Sequence, residues 1–305
     1  MLLRGGGVVF GVRFDGIHVR HDHTDTIDGL DKYRGSKYVQ SDVGLSYSLV
    51  KHYLLLNRLV LFSGTPCQVA GLNHYLSMPY DNLLTVQLIC RGTSSPGVWE
   101  RYMHHYTRKN NIKAINNIRF RTKSSRYDSP VYSYVLRFDY KSKEGVDGEF
   151  WQNCRQNPYF SYFMNHNFRS SCLACKFRNT YSTGADFTIG DSIGASSIDH
   201  YGEKNISSIV VHNHKASELL KKIESNFYIT PQPIEDLHTI YNDAIRIQAW
   251  DKRWRMWRLS NRLAMNVPLE YIGFIYQHYN PFLIFYKALI YIYALVSTKN
   301  EQKSL

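Results

Sequence analysis

Cysteines are the residues of this chain whose type and spacing are best suited to chemistry. Cys172 and Cys175 form a CxxC, whose two thiolates can reach one metal ion or two corners of one iron–sulfur cluster. Cys67 and Cys90 lie well upstream and could complete such a site. A zinc site, a cluster, a redox dithiol and merely incidental, buried cysteines all remain open. Cys154 does not lie at a metal-ligand spacing from another cysteine, and we expect it to be structural or exposed.

The surroundings of these cysteines are expected to be reducing. The N-terminal sequence MLLRGGGVVFGVRFDG lacks the apolar core and the cleavage site of a signal peptide, and the total of five cysteines is odd. We therefore expect metal binding rather than disulfides, and a cytoplasmic protein. The sequence offers no run of about 18 apolar residues, so a membrane span is not expected.

Two of the cysteines are predicted to stand at one edge of a parallel sheet. LVLFS at 59–63 is typical of a short buried strand, a proline then opens a helix over 67–77, and LLTVQLIC at 83–90 predicts the next strand. This is a βαβ unit, whose strands run parallel. Cys67 falls in the first turn of the helix, where unpaired N–H groups favour a thiolate, and Cys90 ends the second strand. Both would face the carboxyl-end crevice, where open α/β sheets bind ligands.

Periodicity along the rest of the chain predicts the fold class. We expect an α/β protein (mixed α+β) with a central, largely parallel sheet, an antiparallel insertion and a helical C-terminal tail. The other predicted elements are strands at 7–14, 185–191 and 207–213, an antiparallel strand pair within 115–140, helices at 45–56 and 215–226, and a loop with a short helix at 21–44. Residues 1–227 would form the cysteine-bearing domain, and 228–305 a helical, basic and aromatic extension.

The charge of the chain favours anionic partners without choosing among them. Lysine and arginine outnumber aspartate and glutamate by 37 to 25, a formal net charge of +12. Trp250, Trp254 and Trp257 follow helical spacing among arginines, which predicts a helix packed on the core with a basic solvent face. Residues 282–296 could lie at a membrane interface, so peripheral association at the inner membrane face is a hypothesis. Nucleic acid has only charge in its favour and is not expected.

Glycine-rich segments could bring the backbone close to a phosphate or a flavin. GGG at 5–7, RGS at 34–36 and TIGD at 188–191 are such segments, although glycines more often simply make turns. Neither a Ser/His/Asp signature nor a complete dinucleotide fingerprint accompanies them. The sequence therefore identifies no catalytic residue.

Five motifs in order carry a family resemblance. They are RGSKYVQSD (34–42), GTPCQVAGL (64–72), LLTVQLICRGTSSPGVWERY (83–102), SCLACKF (171–177) and ADFTIGD (185–191). Over roughly residues 5–225 the chain resembles the coenzyme F420 hydrogenase/dehydrogenase beta-subunit family. Its members are iron–sulfur flavoproteins that bind FAD and pass electrons between a cluster and a deazaflavin, or between a ferredoxin and other acceptors. Related bacterial genes often lie in surface-polysaccharide loci.

The resemblance implies cofactors and the residues that would hold them. The implied ligands of one [4Fe-4S] cluster are Cys67, Cys90, Cys172 and Cys175. The residues implied to lie near the flavin or its phosphates are Ser36, Lys37 and Asp191. The CxxCxxC segment and the SSGG-type motif that precede GVVFG in relatives do not occur here, so we expect an N-terminally truncated member with a weakened FAD site.

The resemblance also implies a function. The chain would be an oxidoreductase subunit that exchanges electrons between a [4Fe-4S] cluster and a flavin- or deazaflavin-type or other acceptor. Its redox partner would be a ferredoxin-like protein or a hydrogenase/dehydrogenase subunit. The alternative is a non-catalytic, metal-stabilised module associated with surface-polysaccharide biosynthesis.

Overall fold

A six-stranded sheet forms the centre of the protein, and a three-stranded antiparallel sheet lies beside it. The computed structural model describes residues 2–90, 92–120, 122, 135–153, 169–177, 183–191 and 207–231. Its strands are β1 (Val8–Asp15), β2 (His18–Thr24), β3 (Val60–Gly64), β4 (Leu83–Leu88), β5 (Ile112–Arg119), β6 (Val135–Ser142), β7 (Asp147–Asn153), β8 (Phe187–Asp191) and β9 (Ser207–Val211). Its α-helices are α1 (Ser46–Leu55), α2 (Pro66–Leu76), α3 (Pro96–Lys109), α4 (Ser170–Leu173) and α5 (His214–Ile223).

The central sheet has the order β2-β1-β3-β4-β8-β9. β1, β3, β4 and β8 are parallel to their neighbours in this series, whereas the edge strands β2 and β9 pair antiparallel. The predicted α/β class with a largely parallel central sheet is therefore confirmed. The antiparallel insertion is also present, because β5, β6 and β7 form the second sheet in sequence order.

Strand β3 buries alternate side chains in the apolar core. Val60 and Phe62 are fully buried, and they pack with Phe10 of β1, Val50 of α1 and Leu72 of α2 in one apolar cluster. Burial of each such side chain contributes roughly 1.5–3 kcal/mol to folding, which outweighs the weak intrinsic preferences of short elements. This cluster therefore fixes α2, and with it Cys67, against the sheet.

A second apolar cluster joins α3 to the three-stranded sheet and to the β1–β2 hairpin. Trp99 is 1% exposed and packs between Phe14 of β1 and Phe120, which follows β5. Its indole Nε1–H donates to the carbonyl of Ile17 over 2.8 Å. The segment that follows β4 is thereby held in place at the start of α3.

The hairpin partner β2 was not expected. The sequence predicted a loop with a short helix over 21–44, but residues as far as Thr24 pair with β1 in an antiparallel hairpin. The error arose because this strand is polar in sequence, although Val19, His21 and Thr24 are buried. The short helix does exist, as a 3-10 helix over Asp28–Tyr33.

Other predicted bounds moved by a few residues. β4 ends at Leu88, two residues before Cys90, and β7 was not predicted. The helix expected at 215–226 begins at His214, because the Asn213 side chain accepts a hydrogen bond from the Ala216 N–H at its N-terminus.

The predicted extension at 228–305 lies outside the described residues from 232 onward, so the domain boundary stays a prediction. Within the described part of the chain, we find no helix with the length and apolarity that a bilayer crossing needs.

Candidate metal centre

Cys67 owes its position to the way helix α2 begins. Thr65 is extended, with φ −71° and ψ 160°, and Pro66 occupies the first helical position. The Gln68 side-chain oxygen accepts the Thr65 backbone N–H over 3.0 Å, as in a capping box. Cys67 is therefore held in the first turn, directly after β3, with its thiol exposed. Its Sγ lies 3.2 Å from the Thr65 hydroxyl oxygen.

Cys90 lies just beyond the end of the neighbouring strand. β3 and β4 are parallel, with Gly64 opposite Gln87, so Cys67 and Cys90 follow the carboxyl ends of adjacent strands. The backbone N–H of Ile89 still donates to the carbonyl of Ile189 over 2.8 Å, which continues the β4–β8 pairing to the residue before Cys90. Cys90 is partly buried there.

The CxxC segment is attached to the loop that follows β4. The Arg169 N–H donates to the Thr93 carbonyl over 3.0 Å, and the Cys172 N–H donates to the Arg169 carbonyl over 3.0 Å. The Thr93 hydroxyl oxygen lies 3.8 Å from Cys172 Sγ. Cys172 therefore stands beside the loop that carries Cys90.

The other three thiols lie close enough to Cys90 to influence its pKa. Burial raises the pKa of Cys90 to about 12, against a smaller lowering by the Gly92 N–H. Negative charge on Cys172, Cys67 and Cys175 raises that pKa further. A thiolate at Cys90 is therefore disfavoured, and a cation bound beside it would offset this effect.

The donor set of this edge suits a thiophilic metal. All four candidate ligands are cysteines, which bind zinc and iron–sulfur clusters. One zinc ion draws its thiolates to about 2.3 Å, whereas a cluster offers a separate iron to each cysteine. Across the described ranges, no three His, Cys, Asp or Glu side chains are grouped so as to hold a single ion. Cys154 lies outside these ranges, and the role of the four thiols as ligands stays a prediction.

The segment that carries Ser36 and Lys37 leads to the same edge. Val39 forms a bridge with Ser94 in the loop after β4. Ser36 is exposed. The Lys37 ammonium donates to three backbone carbonyls at the end of the 3-10 helix, of which Tyr33 is nearest at 2.9 Å. Burial, and then the charge of Arg119, lower the pKa of Lys37 to about 8. Its protons are thus engaged by backbone, and contact with a flavin stays a prediction.

The TIGD motif ends strand β8. Asp191 is its last residue, opposite Ser207 of β9, and its side chain lies outside what the structure describes. Gly190 is needed for packing, because a Cβ there would stand 2.5 Å from Cδ1 of Ile89. The proximity of Asp191 to a flavin stays a prediction.

Sequence reasoning missed a buried polar chain behind Cys67. Gln68 Nε2 donates to Ser41 Oγ over 2.9 Å, and that hydroxyl lies 3.0 Å from His21 Nδ1. His21 Nε2 lies 3.3 Å from the Ser63 carbonyl oxygen. Burial lowers the pKa of His21 to about 4, against smaller raising effects of the Ser63 carbonyl and the Asp42 charge. The imidazole is therefore neutral at pH 7.

One member of this buried polar chain, Gln68, had a signal in the sequence. Thr65 and Gln68 have the T-x-x-Q spacing of a capping box, which predicts a buried, oriented glutamine beside the cysteine. Ser41 and His21 had no such signal, because they reach Gln68 only through tertiary contacts.

A further polar network lies beneath the same edge, between β4 and β8. Asp186 accepts from the Thr85 N–H over 2.7 Å and from Asn213 Nδ2 over 2.8 Å, and Lys215 Nζ lies 3.1 Å from it. Gln87, which is fully buried, donates to Thr188 over 2.7 Å. The contacts of Asp186 with Thr85 and of Gln87 with Thr188 join residues 101 positions apart and fix β8 next to β4.

The sequence of the chain matches one family model. The family model for the C-terminal part of the beta subunit in coenzyme F420 hydrogenase/dehydrogenase matches residues 57–237. Among solved structures, the chain is similar to one in the xenon-derivatised F420-reducing [NiFe] hydrogenase complex from Methanosarcina barkeri. That similarity has 14% identity and a TM-score of 0.47, and covers 87% of this chain and 83% of the other. Comparison with curated proteins gave no match.

Proposed function

We propose that this chain, which belongs to the coenzyme F420 hydrogenase/dehydrogenase beta-subunit family, is an oxidoreductase subunit with one [4Fe-4S] cluster. The proposed ligands are Cys67, Cys90, Cys172 and Cys175. The observation that carries the proposal is geometric: Cys67 and Cys90 follow the carboxyl ends of adjacent parallel strands, and Cys172 lies beside the loop that follows the second strand. Such an edge is where open α/β sheets bind their ligands.

The chemistry of the residues at this edge supports a cluster. Cys90 lies in a protein environment that strongly disfavours a thiolate, and three further sulfurs add to that penalty. A bound cation reverses the penalty, and metal binding then stabilises the fold. When bound, a [4Fe-4S] cluster supplies one-electron transfer. Cys67 is exposed and Cys90 partly buried, so the site extends from the surface inward.

The proposed partners follow from the family. Because Cys67 is exposed, a ferredoxin-like protein or a hydrogenase/dehydrogenase subunit could dock beside it. A flavin- or deazaflavin-type acceptor would lie beside Ser36, Lys37 and Asp191. Lys37 could contact FAD only by releasing a backbone carbonyl, which supports weak flavin binding.

That engagement of Lys37 also favours a second candidate function. A chain that binds metal but no flavin would be a non-catalytic module, associated with surface-polysaccharide biosynthesis. In this alternative, zinc or a cluster would act only to stabilise the fold.

Metal and flavin analysis after anaerobic purification distinguishes the oxidoreductase from a zinc-stabilised module. The oxidoreductase requires about four irons and four acid-labile sulfides per chain, together with a paramagnetic signal after dithionite reduction. Stoichiometric zinc without sulfide would contradict the cluster and support the metal-stabilised module. FAD that remains bound through gel filtration would show that the flavin site is not weakened.

Association with a membrane surface is a separate proposal. It rests on the arginine-rich, aromatic sequence of the C-terminal extension and on the apolar stretch at 282–296. Co-sedimentation with anionic liposomes at low and high salt tests it, with neutral liposomes as the control. Absence from the pellet under every condition would refute it.

A further inference from the structure

The Thr65 hydroxyl faces two acceptors but has one proton. Its oxygen lies 3.2 Å from Cys67 Sγ and 3.0 Å from Gln68 Oε1. Gln68 Oε1 also accepts the Thr65 backbone N–H over 3.0 Å. The amide oxygen therefore keeps one donor wherever the hydroxyl proton points, so the proton can turn towards sulfur without leaving a buried acceptor unpaired.

Metal ligation decides the direction of the contact with sulfur. A cysteine that binds iron is a thiolate, which has no S–H and can only accept. The Thr65 hydroxyl is then the donor. Hydrogen bonds to cysteine sulfur stabilise the more negative, reduced form of an iron–sulfur centre and so raise its reduction potential.

We infer that Thr65 is a positioning residue that raises the reduction potential of the metal centre by donating a hydrogen bond to Cys67, and that Gln68, Ser41 and His21 hold it in place. This inference rests on the proposed function, because it requires a redox-active centre at Cys67. It concerns the ease with which that centre accepts an electron, whichever partner supplies it.

The buried polar chain orients Gln68 in only one way. His21 Nε2–H donates to the Ser63 carbonyl, so its Nδ1 accepts from the Ser41 hydroxyl. Ser41 Oγ accepts from Gln68 Nε2, which leaves Gln68 Oε1 facing Thr65. A flipped amide would set its NH₂ group against the Thr65 N–H, donor against donor. The ring of His21 stacks on Phe62 at 5.2 Å with an interplanar angle of 4°, which fixes the far end of the chain.

A second threonine provides a matched comparison. The Thr93 hydroxyl lies 3.8 Å from Cys172 Sγ, compared with 3.2 Å for Thr65 and Cys67. Because hydrogen bonds weaken with distance, Thr93→Val should shift the potential less than Thr65→Val. The two variants make the same substitution next to two different candidate ligands.

The test is a redox titration of the full-length, anaerobically purified protein, followed by electron paramagnetic resonance. Thr65→Val should make the centre harder to reduce. At a fixed potential, the ratio of reduced to oxidised centre should fall about tenfold, which corresponds to a reduction potential about 59 mV lower for one electron. Thr65→Ser keeps the hydroxyl and should retain the wild-type potential. Thr65→Gly removes the hydroxyl but remains an acceptable N-cap, so it replaces Thr65→Val if that variant does not fold.

The outcomes separate this inference from the proposed function. Wild-type iron content with an unchanged potential in both hydroxyl-free variants would overturn the inference and leave the cluster standing. A wild-type protein without iron would overturn both. Electron–nuclear double resonance of the reduced centre supplies a second readout: the wild-type protein should show an exchangeable coupled proton, lost in D₂O, that Thr65→Val or Thr65→Gly lacks. Absence of any exchangeable coupled proton from the wild-type protein would overturn the inference even if no Thr65 variant folds.

Discussion

Gly190 lies directly against Ile89, so closely that a Cβ at position 190 would stand 2.5 Å from Cδ1 and 2.7 Å from Cβ of Ile89. Ile89 precedes Cys90 and continues the β4–β8 pairing. Gly190→Ala should therefore displace the backbone that carries Cys90 and lower both thermal stability and iron content. The conflict involves the isoleucine Cβ, which cannot turn away, so we expect a loss of about 1–3 kcal/mol. Differential scanning calorimetry and iron analysis would measure these effects.

Gly5→Ala is the control for that substitution. A Cβ at Gly5 meets nothing within 4 Å, so stability and iron content should remain at wild-type values. Equal stability and iron content in the two variants would contradict the conclusion that Gly190 is needed for packing against Ile89.

Replacement of any one candidate ligand by serine should lower iron content and stability together. The four variants are Cys67→Ser, Cys90→Ser, Cys172→Ser and Cys175→Ser. Their common effect is expected because metal-binding free energy becomes folding free energy in such sites. Iron per chain and the midpoint of denaturant unfolding would be measured under anaerobic conditions.

Two comparisons show whether that effect arises from the metal. Cys154→Ser should change neither quantity, since that cysteine has no assigned ligand role. Cys67 is exposed, so Cys67→Ser should alter the stability of the metal-free protein by no more than about 0.5 kcal/mol. A large loss in the metal-free Cys67→Ser protein would point to a structural role instead.

The stability of the protein should fall as pH is lowered from 6.5 towards 4, in part because of His21. Its pKa is lowered from 6.5 to about 4 by burial, so the unfolded state binds the proton first. The free energy of unfolding thus rises with pH across this window. The contribution of His21 is at most roughly 3 kcal/mol, since each unit of pKa difference is worth about 1.36 kcal/mol. His21→Gln cannot titrate and should flatten the dependence. Denaturant unfolding of both proteins at pH 4.5, 5.5, 7 and 8 measures the difference.

Other groups also titrate between pH 4 and 6.5, so the wild-type slope alone does not test His21. Between pH 7 and 8 both states of wild-type His21 are mostly neutral, and the two proteins should have nearly equal slopes there. Equal slopes between pH 4.5 and 5.5 as well would contradict the neutral, buried imidazole.

Asp186→Ala should destabilise the central sheet. Asp186 accepts from the Thr85 N–H and hydroxyl and from Asn213, and its removal leaves the buried Thr85 N–H without that acceptor. Unsatisfied buried donors cost about 1–3 kcal/mol each, so we expect a loss of about 2–4 kcal/mol. Lys215→Met is the comparison and should cost less, because Lys215 is 44% exposed and Asp186 keeps its other donors. An equal loss in the two variants would show that the ion pair dominates.

Short-range features of the sequence were enough to predict much of the site. Pro66 and the capping spacing of Thr65 and Gln68 start helix α2 where it was expected, because helix starts depend on neighbouring backbone groups. The apolar runs of β3 and β4 were enough to predict the βαβ unit and to order Cys67 and Cys90 along one edge. These inferences succeeded because burial of apolar runs is a local pattern with a large free-energy effect.

The sequence by itself thus determined which cysteines stand at the ends of β3 and β4, whereas tertiary structure decided what surrounds them. The polar sequence of β2 gave no sign of a buried strand, because His21 becomes a core residue only when Ser41 and the Ser63 carbonyl satisfy its ring nitrogens. Likewise, Asp186 tolerates burial only because donors from β4 and from the start of α5 reach it. Buried polar groups need partners distant in sequence, and only the folded chain supplies them.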